Sequence, residues 1–152
     1  PVLFPQSTST DALYSHVDLL PTLAELAQAP PVGVGKSLVP VLLDANASVQ
    51  ESVLFAFDDN FLLDDIPGSH IRAIREQAWT YAVYYGSDGT GFEFELYDLQ
   101  SDPNQMINLL FNPSPEIIPQ WLRLHQVLIQ KMAETNSAPL GFVFPTDPQT
   151  AP

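Results

Sequence analysis

The sequence predicts an α+β protein in which a small four-stranded antiparallel sheet packs against a C-terminal amphipathic helix. Three observations support this prediction. Strand-like apolar runs fill the middle of the chain, short connections join the last three of them, and one helical apolar stripe follows near the C-terminus. A single amphipathic helix beside such a sheet is expected to form a two-layer sandwich. A further helical segment precedes the sheet.

The composition indicates a packed protein and excludes several kinds of partner. Of the 152 residues, 45% are hydrophobic, which argues against a disordered chain. Eighteen acidic residues stand against five basic ones, a net charge of −13, so we expect neither nucleic acid nor a membrane surface as a partner. No apolar run approaches the roughly 18 residues of a membrane-spanning helix. The absence of cysteine excludes disulfides, thiolate metal sites and a cysteine nucleophile.

The first regular element is predicted in "SHVDLLPTLAELAQ", residues 15–28, after an extended or loop-like opening segment. Ser15 followed by Asp18 is typical of a capping box at a helix start, and Pro21 suits the first position of a second helical segment. Pro30, with the proline after it, ends the helix. The residues expected to share one apolar face are Leu20, Leu23, Ala24 and Ala27.

The connector after this helix contains Gly35-Lys36-Ser37, which resembles the end of a phosphate-binding loop. The complete motif needs a glycine five positions before Gly35, but Pro30 stands there and has no N–H to offer a phosphate. Such a loop should also follow a strand, whereas a helix precedes this one. We therefore do not expect a nucleotide site. The "SLVPVLL" segment that follows is predicted to be a short apolar turn or helix.

Four strands are predicted in the middle of the chain, at 52–57, 70–76, 79–85 and 92–99. The run "SVLFAF" (52–57) is apolar on both faces, as in a covered central strand. The last three strands have connections short enough for an antiparallel meander. The fourth alternates in polarity, which predicts one dry and one wet face. Phe92, Phe94 and Leu96 are expected to face the helix, and Glu93 and Glu95 to face water.

Charged and aromatic residues in these strands admit a structural and a functional interpretation. Arg72 and Arg75 are expected to pair with the abundant carboxylates. The aromatic residues of the third strand can be interpreted as a sugar-stacking platform, but an aromatic strand more often packs under a helix. These residues are Trp79, Tyr81, Tyr84 and Tyr85.

The last regular element is a helix predicted over residues 119–134. Its apolar stripe recurs at helical spacing, so this face should cover the sheet. Residues 136–152 carry four prolines and are predicted to be loop or disordered. The stripe consists of Ile117, Trp121, Leu124, Leu128 and Met132.

Four stretches, in this order, resemble the C-terminal part of the sulfatase family within the alkaline-phosphatase-like superfamily. They are "SHVDLLPTLAELAQAP", "GKSLVPVLL", "IRAIREQAWTYAVYY" and "FELYDLQSDPNQMINLL". The first resembles the family's Asp-Leu-x-Pro-Thr-Leu helix, and Gly35 to Leu38 resemble its Gly-x-Ser-Leu connector. The last resembles its Glu-Leu-Tyr-Asp-Leu strand and Asp-Pro turn, with Gln105 where an acidic residue is usual. The resemblance covers about residues 11–110.

The resemblance implies a parent enzyme that hydrolyses sulfate esters with a formylglycine and a divalent metal, usually calcium. The formylglycine arises from Cys or Ser in a Cys/Ser-x-Pro-x-Arg motif. None of the three arginines here has a suitable residue four positions before it, so no catalytic residue and no metal ligand is assigned to this chain. The nucleophile, the calcium and the N-terminal catalytic domain that would be this chain's partner are expected upstream. The family also suggests an extracytoplasmic location.

The resemblance also implies a division of the chain into three parts. Residues 1–45 would be the helix and connector at the edge of a larger α/β domain. Residues 46–135 would form the C-terminal sheet subdomain with its helix, and 136–152 a proline-rich tail. Because Pro1 is not a natural start, we expect the chain to be a piece of a longer protein.

The acidic loop after the first strand is the main candidate site, with Asp58, Asp59, Asn60, Asp64 and Asp65. Clustered oxygen ligands suit hard cations, but the spacing of a calcium loop is not met. The family's metal pair also precedes the first helix, whereas this cluster follows it. The favoured interpretation is a solvated acidic loop, followed by a substrate-cleft rim and then by a metal site.

The three histidines are weighed in the same way. His16 beside the capping serine and His125 at the border of the long helix are expected to be structural. His70 precedes the second strand at the end of the acidic loop and is the best rim candidate. The predicted substrate-cleft rim therefore consists of His70, Asp58, Asp59 and Asn60.

Two functional hypotheses follow. The first is the C-terminal part of a sulfatase-type hydrolase that completes the fold and lines one wall of the substrate cleft. The second is a non-catalytic acidic binding or interaction module. A related phosphoester or phosphonate hydrolase is a further alternative to the first.

Overall fold

The computed structural model describes residues 9–58 and 70–150, and the chain divides into two compact units, residues 1–53 and 54–152. The first unit contains a 3-10 turn and two short helices, and the second contains the sheet and the long helix. In chain order the elements are a 3-10 turn (His16–Asp18), α1 (Leu19–Leu26), α2 (Val39–Leu43), β1 (Val53–Asp58), β2 (His70–Arg75), β3 (Trp79–Tyr85), β4 (Glu93–Asp98), α3 (Ile118–Thr135) and a 3-10 turn (Pro148–Thr150). Within the described ranges, no helix has both the length and the apolar character needed to cross a membrane.

A buried carboxylate organises the first unit. The side chain of Asp18 is almost completely buried, and its Oδ2 accepts hydrogen bonds from the Ser15 backbone N–H and from Gln50 Nε2, each at 2.7 Å. Its Oδ1 accepts from the Lys36 backbone N–H, also at 2.7 Å. The predicted capping box of Ser15 and Asp18 is therefore confirmed. The same carboxylate holds the connector in place, because it accepts a hydrogen bond from the Lys36 N–H. That N–H is therefore not available to a phosphate.

The connector lies close against the start of α1. A Cβ at Gly35 would overlap the backbone carbonyl of Val17, so only glycine permits this approach. Thr22 Oγ1 donates to the Asp18 carbonyl at 2.5 Å and accepts from the Leu38 N–H at 2.8 Å. The segment that resembles a phosphate loop is thus a structural connector, and α2 is the short helix predicted after it.

Helix α1 begins two residues before the predicted position, at Leu19 rather than Pro21. Proline still lies in the first turn, where a backbone N–H has no intrahelical partner. The residues that α1 buries are Pro21, Thr22 and Ala24. Leu20 and Leu23 are instead 56% and 62% exposed. Of the predicted apolar face, Ala24 is therefore buried, whereas Leu20, Leu23 and Ala27 are exposed.

The second unit contains a four-stranded sheet in the order β1-β2-β3-β4. Strands β2 and β3 pair antiparallel, with His70 opposite Tyr85, and β3 pairs antiparallel with β4, with Tyr84 opposite Glu93. The end of β1 meets the start of β2, because the Asp58 carboxylate contacts His70 at 3.0 Å. The predicted antiparallel α+β fold is confirmed.

One face of the sheet packs against α3 as the alternation predicts. Leu96 is fully buried, and Phe94 contacts Trp121 edge-on with 5.6 Å between ring centroids. On the other face Glu93 is exposed, and Glu95 is partly covered and accepts from the Tyr84 hydroxyl at 3.0 Å. The core under α3 consists of Ile74, Tyr81, Val83, Tyr85, Leu96, Trp121, Leu124, Leu128, Met132 and Phe144.

Two sequence predictions need correction. Strand β1 lies at the edge of the sheet rather than in its centre, and Phe55 is 55% exposed. His125 is fully buried rather than at the helix border, because its ring nitrogens are satisfied by the Tyr81 hydroxyl and the Pro145 carbonyl, each at 2.7 Å. For the tail, the first of the two predicted alternatives holds, since residues 136–150 form a loop with one 3-10 turn, and Phe144 is buried in the core.

Candidate functional site

The candidate site lies at the corner of the sheet where β1 ends and β2 begins. Asp58 is the last residue of β1, His70 is the first of β2, and Tyr85 pairs with His70 from the end of β3. Alternation along β2 puts Arg72 on the same face as His70. The strand ends therefore bring three polar side chains and one tyrosine together on the face of the sheet that α3 covers.

Arg72 holds Asp58 in a bidentate ion pair. Its Nη1 lies 2.7 Å from Asp58 Oδ1 and its Nη2 lies 2.9 Å from Oδ2. The guanidinium is 2% exposed and also donates to the carbonyls of Ser137, Phe57 and Ile71. Its positive charge is thus paired with Asp58 within the second unit. The hydrogen bonds from Arg72 lower the pKa of Asp58 below its ordinary value, so this carboxylate is ionised at neutral pH.

The ionised Asp58 fixes the tautomer of His70. An ionised carboxylate can only accept hydrogen bonds, so the 3.0 Å contact with Asp58 Oδ1 requires a proton on His70 Nδ1. The His70 ring also stacks on Tyr85, with 5.5 Å between centroids and 15° between planes. Nε2 is therefore the ring atom of His70 left for another partner.

A cavity of about 160 Å³ opens at this corner. Two buried polar atoms of its lining residues, His70 Nε2 and Tyr85 Oη, have no hydrogen-bond partner among the described residues. Burial raises the pKa of Tyr85 to about 12, so its hydroxyl keeps its proton at neutral pH. The lining residues are Asp58, His70, Tyr85, Ser87, Ala138, Pro139, Leu140 and Phe142.

The structure places two of the predicted site residues next to each other. Asp58 and His70 are in contact and both line the cavity. Asp59 and Asn60, like Asp64 and Asp65, lie outside the described residues. His16 is exposed in the first unit.

Two contributors to the site were not among the predicted site residues. Arg72 was expected to pair with carboxylates, which is confirmed, but it is buried beneath the site rather than on the surface. Its position two residues after His70 is the signal that both share a face. Tyr85 belongs to the core, as expected of an aromatic strand, yet it also lines the cavity.

The described residues of this corner do not form a metal centre. Among residues 9–58 and 70–150, no group of three or more His, Cys, Asp or Glu side chains could hold a metal ion. Both Asp58 oxygens are engaged by Arg72 and His70, so among the described residues this carboxylate is not a free ligand for calcium. What it offers a ligand is a histidine acceptor, a tyrosine hydroxyl and an apolar wall.

Comparisons with known proteins agree on one family. A family model described as N-sulphoglucosamine sulphohydrolase, C-terminal, matches residues 1–134. Arylsulfatase K of Rattus norvegicus is 32% identical over 104 residues, which are 64% of this chain and 18% of the relative. A sulfatase of Formosa agariphila is 29% identical over 149 residues, covering 92% and 26%. A choline-sulfatase of Rhizobium meliloti is 32% identical over 104 residues, covering 65% and 18%.

Solved structures share the fold. The phosphonate monoester hydrolase of Agrobacterium radiobacter matches with a TM-score of 0.67 and 20% identity, covering 83% of this chain and 26% of that one. The 2-O GAG sulfatase BT1596 matches with a TM-score of 0.65 and 22% identity, covering 87% and 27%. The chain spans less than a third of the length of these relatives. It belongs to the N-sulphoglucosamine sulphohydrolase C-terminal family and corresponds to the C-terminal part of the sulfatase fold.

Proposed function

We propose that this chain is the C-terminal part of a sulfatase-type hydrolase, in which it completes the fold and lines one wall of the substrate cleft. The family match supports a sulfatase parent, and the relatives are several times longer than this chain. The parent would cleave a sulfate ester by metal-assisted attack of a formylglycine hydrate. The nucleophile and the metal would be supplied by the N-terminal catalytic domain of the same protein.

The observation that carries this proposal is the bare apolar surface of the first unit. A helix that docks against a catalytic domain would leave apolar side chains uncovered in this chain alone. Val17, Leu19, Leu20 and Leu23 are all more than half exposed. Complete burial of an exposed leucine is worth roughly 1.5–3 kcal/mol, and about half of that gain remains at each of these half-exposed leucines, which favours a partner surface that covers them.

The N-terminal domain of the same protein is the partner that fits this surface best. The curated relatives continue well beyond the matched part, which is 18% of arylsulfatase K and 26% of the Formosa sulfatase. The exposed leucines also lie in the segment that resembles the family's Asp-Leu-x-Pro-Thr-Leu helix. The alternative hypothesis, a non-catalytic acidic interaction module, does not explain why exposed leucines lie in a segment that resembles a sulfatase-family motif.

The cavity corner supports the second half of the proposal. Asp58 and His70 lie at the ends of neighbouring strands and contact each other. They line a cavity in which two buried polar atoms have no hydrogen-bond partner among the described residues. A substrate wall needs positioned side chains more than reactive ones. The ion pair with Arg72 supplies that positioning.

The test is an activity assay of two proteins. The full-length gene product is assayed with 4-nitrocatechol sulfate, phenyl phosphate and a phenyl phosphonate ester in the presence of calcium, and the 152-residue chain is assayed in parallel. We expect sulfate-ester turnover by the full-length protein and none by the chain alone. Turnover by the chain, or a full-length protein that cleaves only the phosphonate or phosphate substrate, would contradict the proposal.

A further inference from the structure

The first strand of the sheet, β1 (Val53–Asp58), is more exposed than its sequence predicts. The strand reads VLFAFD, five apolar residues followed by one aspartate, yet none of these described residues is buried. Phe55 and Phe57 are 55% and 46% exposed, and Ala56 between them is exposed as well. Each of the other three strands buries at least one side chain. The strand therefore has the sequence of an inner strand and the exposure of an edge strand.

The two phenylalanines lie on the face of the sheet that α3 does not cover. Leu54 packs against the core under α3, and Asp58 contacts Arg72 on that same face. Because side chains alternate along a strand, Phe55 and Phe57 point to the opposite face. They form an apolar strip along the outer edge of the sheet.

The other edge of the sheet, at β4, is closed by the segment that follows it. Asn108 accepts from the Leu96 N–H and donates to the Phe94 carbonyl, and the Leu109 N–H donates to the Leu96 carbonyl at 3.0 Å. Among the described residues, β1 has β2 as its single neighbour in the sheet. One row of backbone N–H and C=O groups of β1 therefore has no strand partner in the described part of the chain.

Strand β1 also lacks the features that protect a free edge. Natural edge strands often carry lysine, proline, a bulge or a charge that prevents another strand from pairing. Val53–Asp58 contains no Lys, Arg, Pro or Gly, and its one charged residue, Asp58, is paired with Arg72 within the sheet. An apolar edge of this kind is a template for a further strand. A further strand would also reconcile the sequence of β1 with its exposure.

The length of the relatives indicates which chain supplies this strand. The matched part is 18% of arylsulfatase K and 26% of the Formosa sulfatase, so most of such a protein lies outside this chain. A second copy of the chain is a poor partner, because each copy carries a net charge of −13 and the two would repel each other. A strand of the same polypeptide is tethered, which gives even a short edge contact a high effective concentration.

We propose that an extended, apolar segment of the N-terminal domain pairs with the outer edge of β1 and adds a further strand to the four-stranded sheet. Side chains of this segment would pack on Phe55 and Phe57, since aromatic and β-branched residues pair well across strands. The inference rests on the proposed function, because its partner is the N-terminal domain of the parent hydrolase. It goes beyond that function by placing backbone hydrogen bonds at β1, apart from the packing on α1.

Hydrogen exchange of the full-length protein, resolved to single amides, tests the proposal. Consecutive residues of a strand point their N–H groups to opposite neighbours, so an edge strand protects every second amide and an inner strand protects all of them. We expect all amides of residues 54–57 to exchange at least about 100-fold more slowly than in an unfolded chain. In the 152-residue chain, measured in parallel, every second one should exchange fast. The Leu96 amide, which donates to Asn108, reports that the sheet is folded in both proteins.

Proline variants separate backbone pairing from coverage by side chains. Of two neighbouring residues, one points its N–H to β2 and the other points it outward, and proline removes the N–H. If the outer edge is paired, Phe55→Pro and Ala56→Pro should both lower the Tm of the full-length protein by several degrees, and by more than Phe55→Ala does. Phe55→Ala is the control for loss of the ring. If the edge is free or covered only by side chains, one of the two proline variants should be tolerated.

The outcomes separate this inference from the proposed function. Fast exchange at alternate amides of residues 54–57 in the full-length protein, or tolerance of one proline variant, would overturn the inference. Protection of all these amides in the 152-residue chain would also overturn it, because the chain would then cover its own edge. Protection that rises with protein concentration would assign the added strand to a second copy, again against the inference. Hydrolysis does not enter these measurements, so β1 can prove paired or unpaired whether or not the full-length protein cleaves sulfate esters.

Discussion

The Asp18 carboxylate and the Lys36 backbone N–H are joined by a 2.7 Å hydrogen bond that links the start of α1 to the connector eighteen residues later. The acceptor side of this bond is protected, because the Asp18 side chain is almost completely buried. It explains why a Gly-Lys-Ser sequence stands here without a phosphate to bind. The Asp18 carboxylate accepts the hydrogen bond from the Lys36 N–H that a bound phosphate would otherwise accept.

The first prediction concerns this carboxylate. Asp18→Asn places an amide N–H₂ against one of three N–H donors, so at least one buried donor loses its acceptor. We expect the free energy of unfolding to fall by about 2–3 kcal/mol, measured by urea titration. Glu25→Gln is the control, since it makes the same change in charge at an exposed position of α1. If the two variants lower the free energy of unfolding equally, the loss of a negative charge, and not the loss of the hydrogen bonds, is responsible, and the prediction is wrong.

The second prediction concerns the loop after β4. Asn108 Oδ1 accepts from the N–H groups of Leu96 and Leu110, and its Nδ2 donates to the Phe94 carbonyl at 2.9 Å. Asn108→Ala removes the hydrogen-bond partner of all three backbone groups, two in β4 and one in the loop. We therefore expect the free energy of unfolding to fall by about 2 kcal/mol. The exposed Asn104→Ala is the matched control. Hydrogen exchange of the Leu96 amide should accelerate in the first variant and stay unchanged in the second.

The third prediction concerns the ion pair beneath the cavity. Arg72→Met removes the bidentate partner of Asp58 and the donor to the Ser137 carbonyl. The free energy of unfolding should fall by about 2–4 kcal/mol, less than for a fully buried pair because Asp58 is half exposed. Arg75→Met, on the exposed side of the same strand, should change it little. If both variants are equally stable, the pair does not hold the corner together.

These residues also show which features of the fold can be predicted from sequence. The alternation of Phe92, Phe94 and Leu96 and the helical spacing of Trp121 and Leu124 are local patterns, and the structure confirms both. Such patterns depend on the period of one element alone. The antiparallel sheet followed from short connections between strands.

The edge position of β1 and the cavity could not be predicted in this way. The sequence of a strand that is apolar on both faces does not indicate whether this chain or another part of the protein packs on it. For this reason Phe55 was expected to be buried, but it is exposed. The pairing of His70 with Tyr85 depends on the register between strands, and the wall around Phe142 comes from a segment predicted to be loop or disordered. Contacts between distant positions of this kind leave no local signal.

The fourth prediction concerns pH. Burial lowers the pKa of His125, although its bond to the Pro145 carbonyl and the nearby Asp147 oppose this shift. The unfolded chain, with an ordinary histidine pKa of about 6.5, therefore binds a proton more readily than the folded chain. The free energy of unfolding should fall as pH drops below about 6.5, down to the lower pKa of the folded state.

Urea titrations at several pH values between 5 and 7.5 check this prediction. His125→Gln should be less stable than the parent chain at pH 7.5 but should lose part of the pH dependence in this window. His16→Gln, which replaces an exposed histidine, should keep the full pH dependence. The prediction is wrong if the slope survives in His125→Gln and disappears in His16→Gln.

The last prediction concerns the bare leucines of α1. Leu23 is 62% exposed in this chain, so Leu23→Asn should hardly change the free energy of unfolding of the 152-residue protein. If α1 docks against the N-terminal domain, the same substitution in the full-length protein buries a polar group where a leucine would have packed. It should then destabilise the full-length protein by about 2–3 kcal/mol, which thermal unfolding of both proteins would measure. Phe111→Asn is the control, because Phe111 is 93% exposed and belongs to the second unit rather than to the predicted docking helix. An equally small effect of Leu23→Asn in both proteins would mean that the catalytic domain does not cover this helix, since covering it is what makes the two contexts differ.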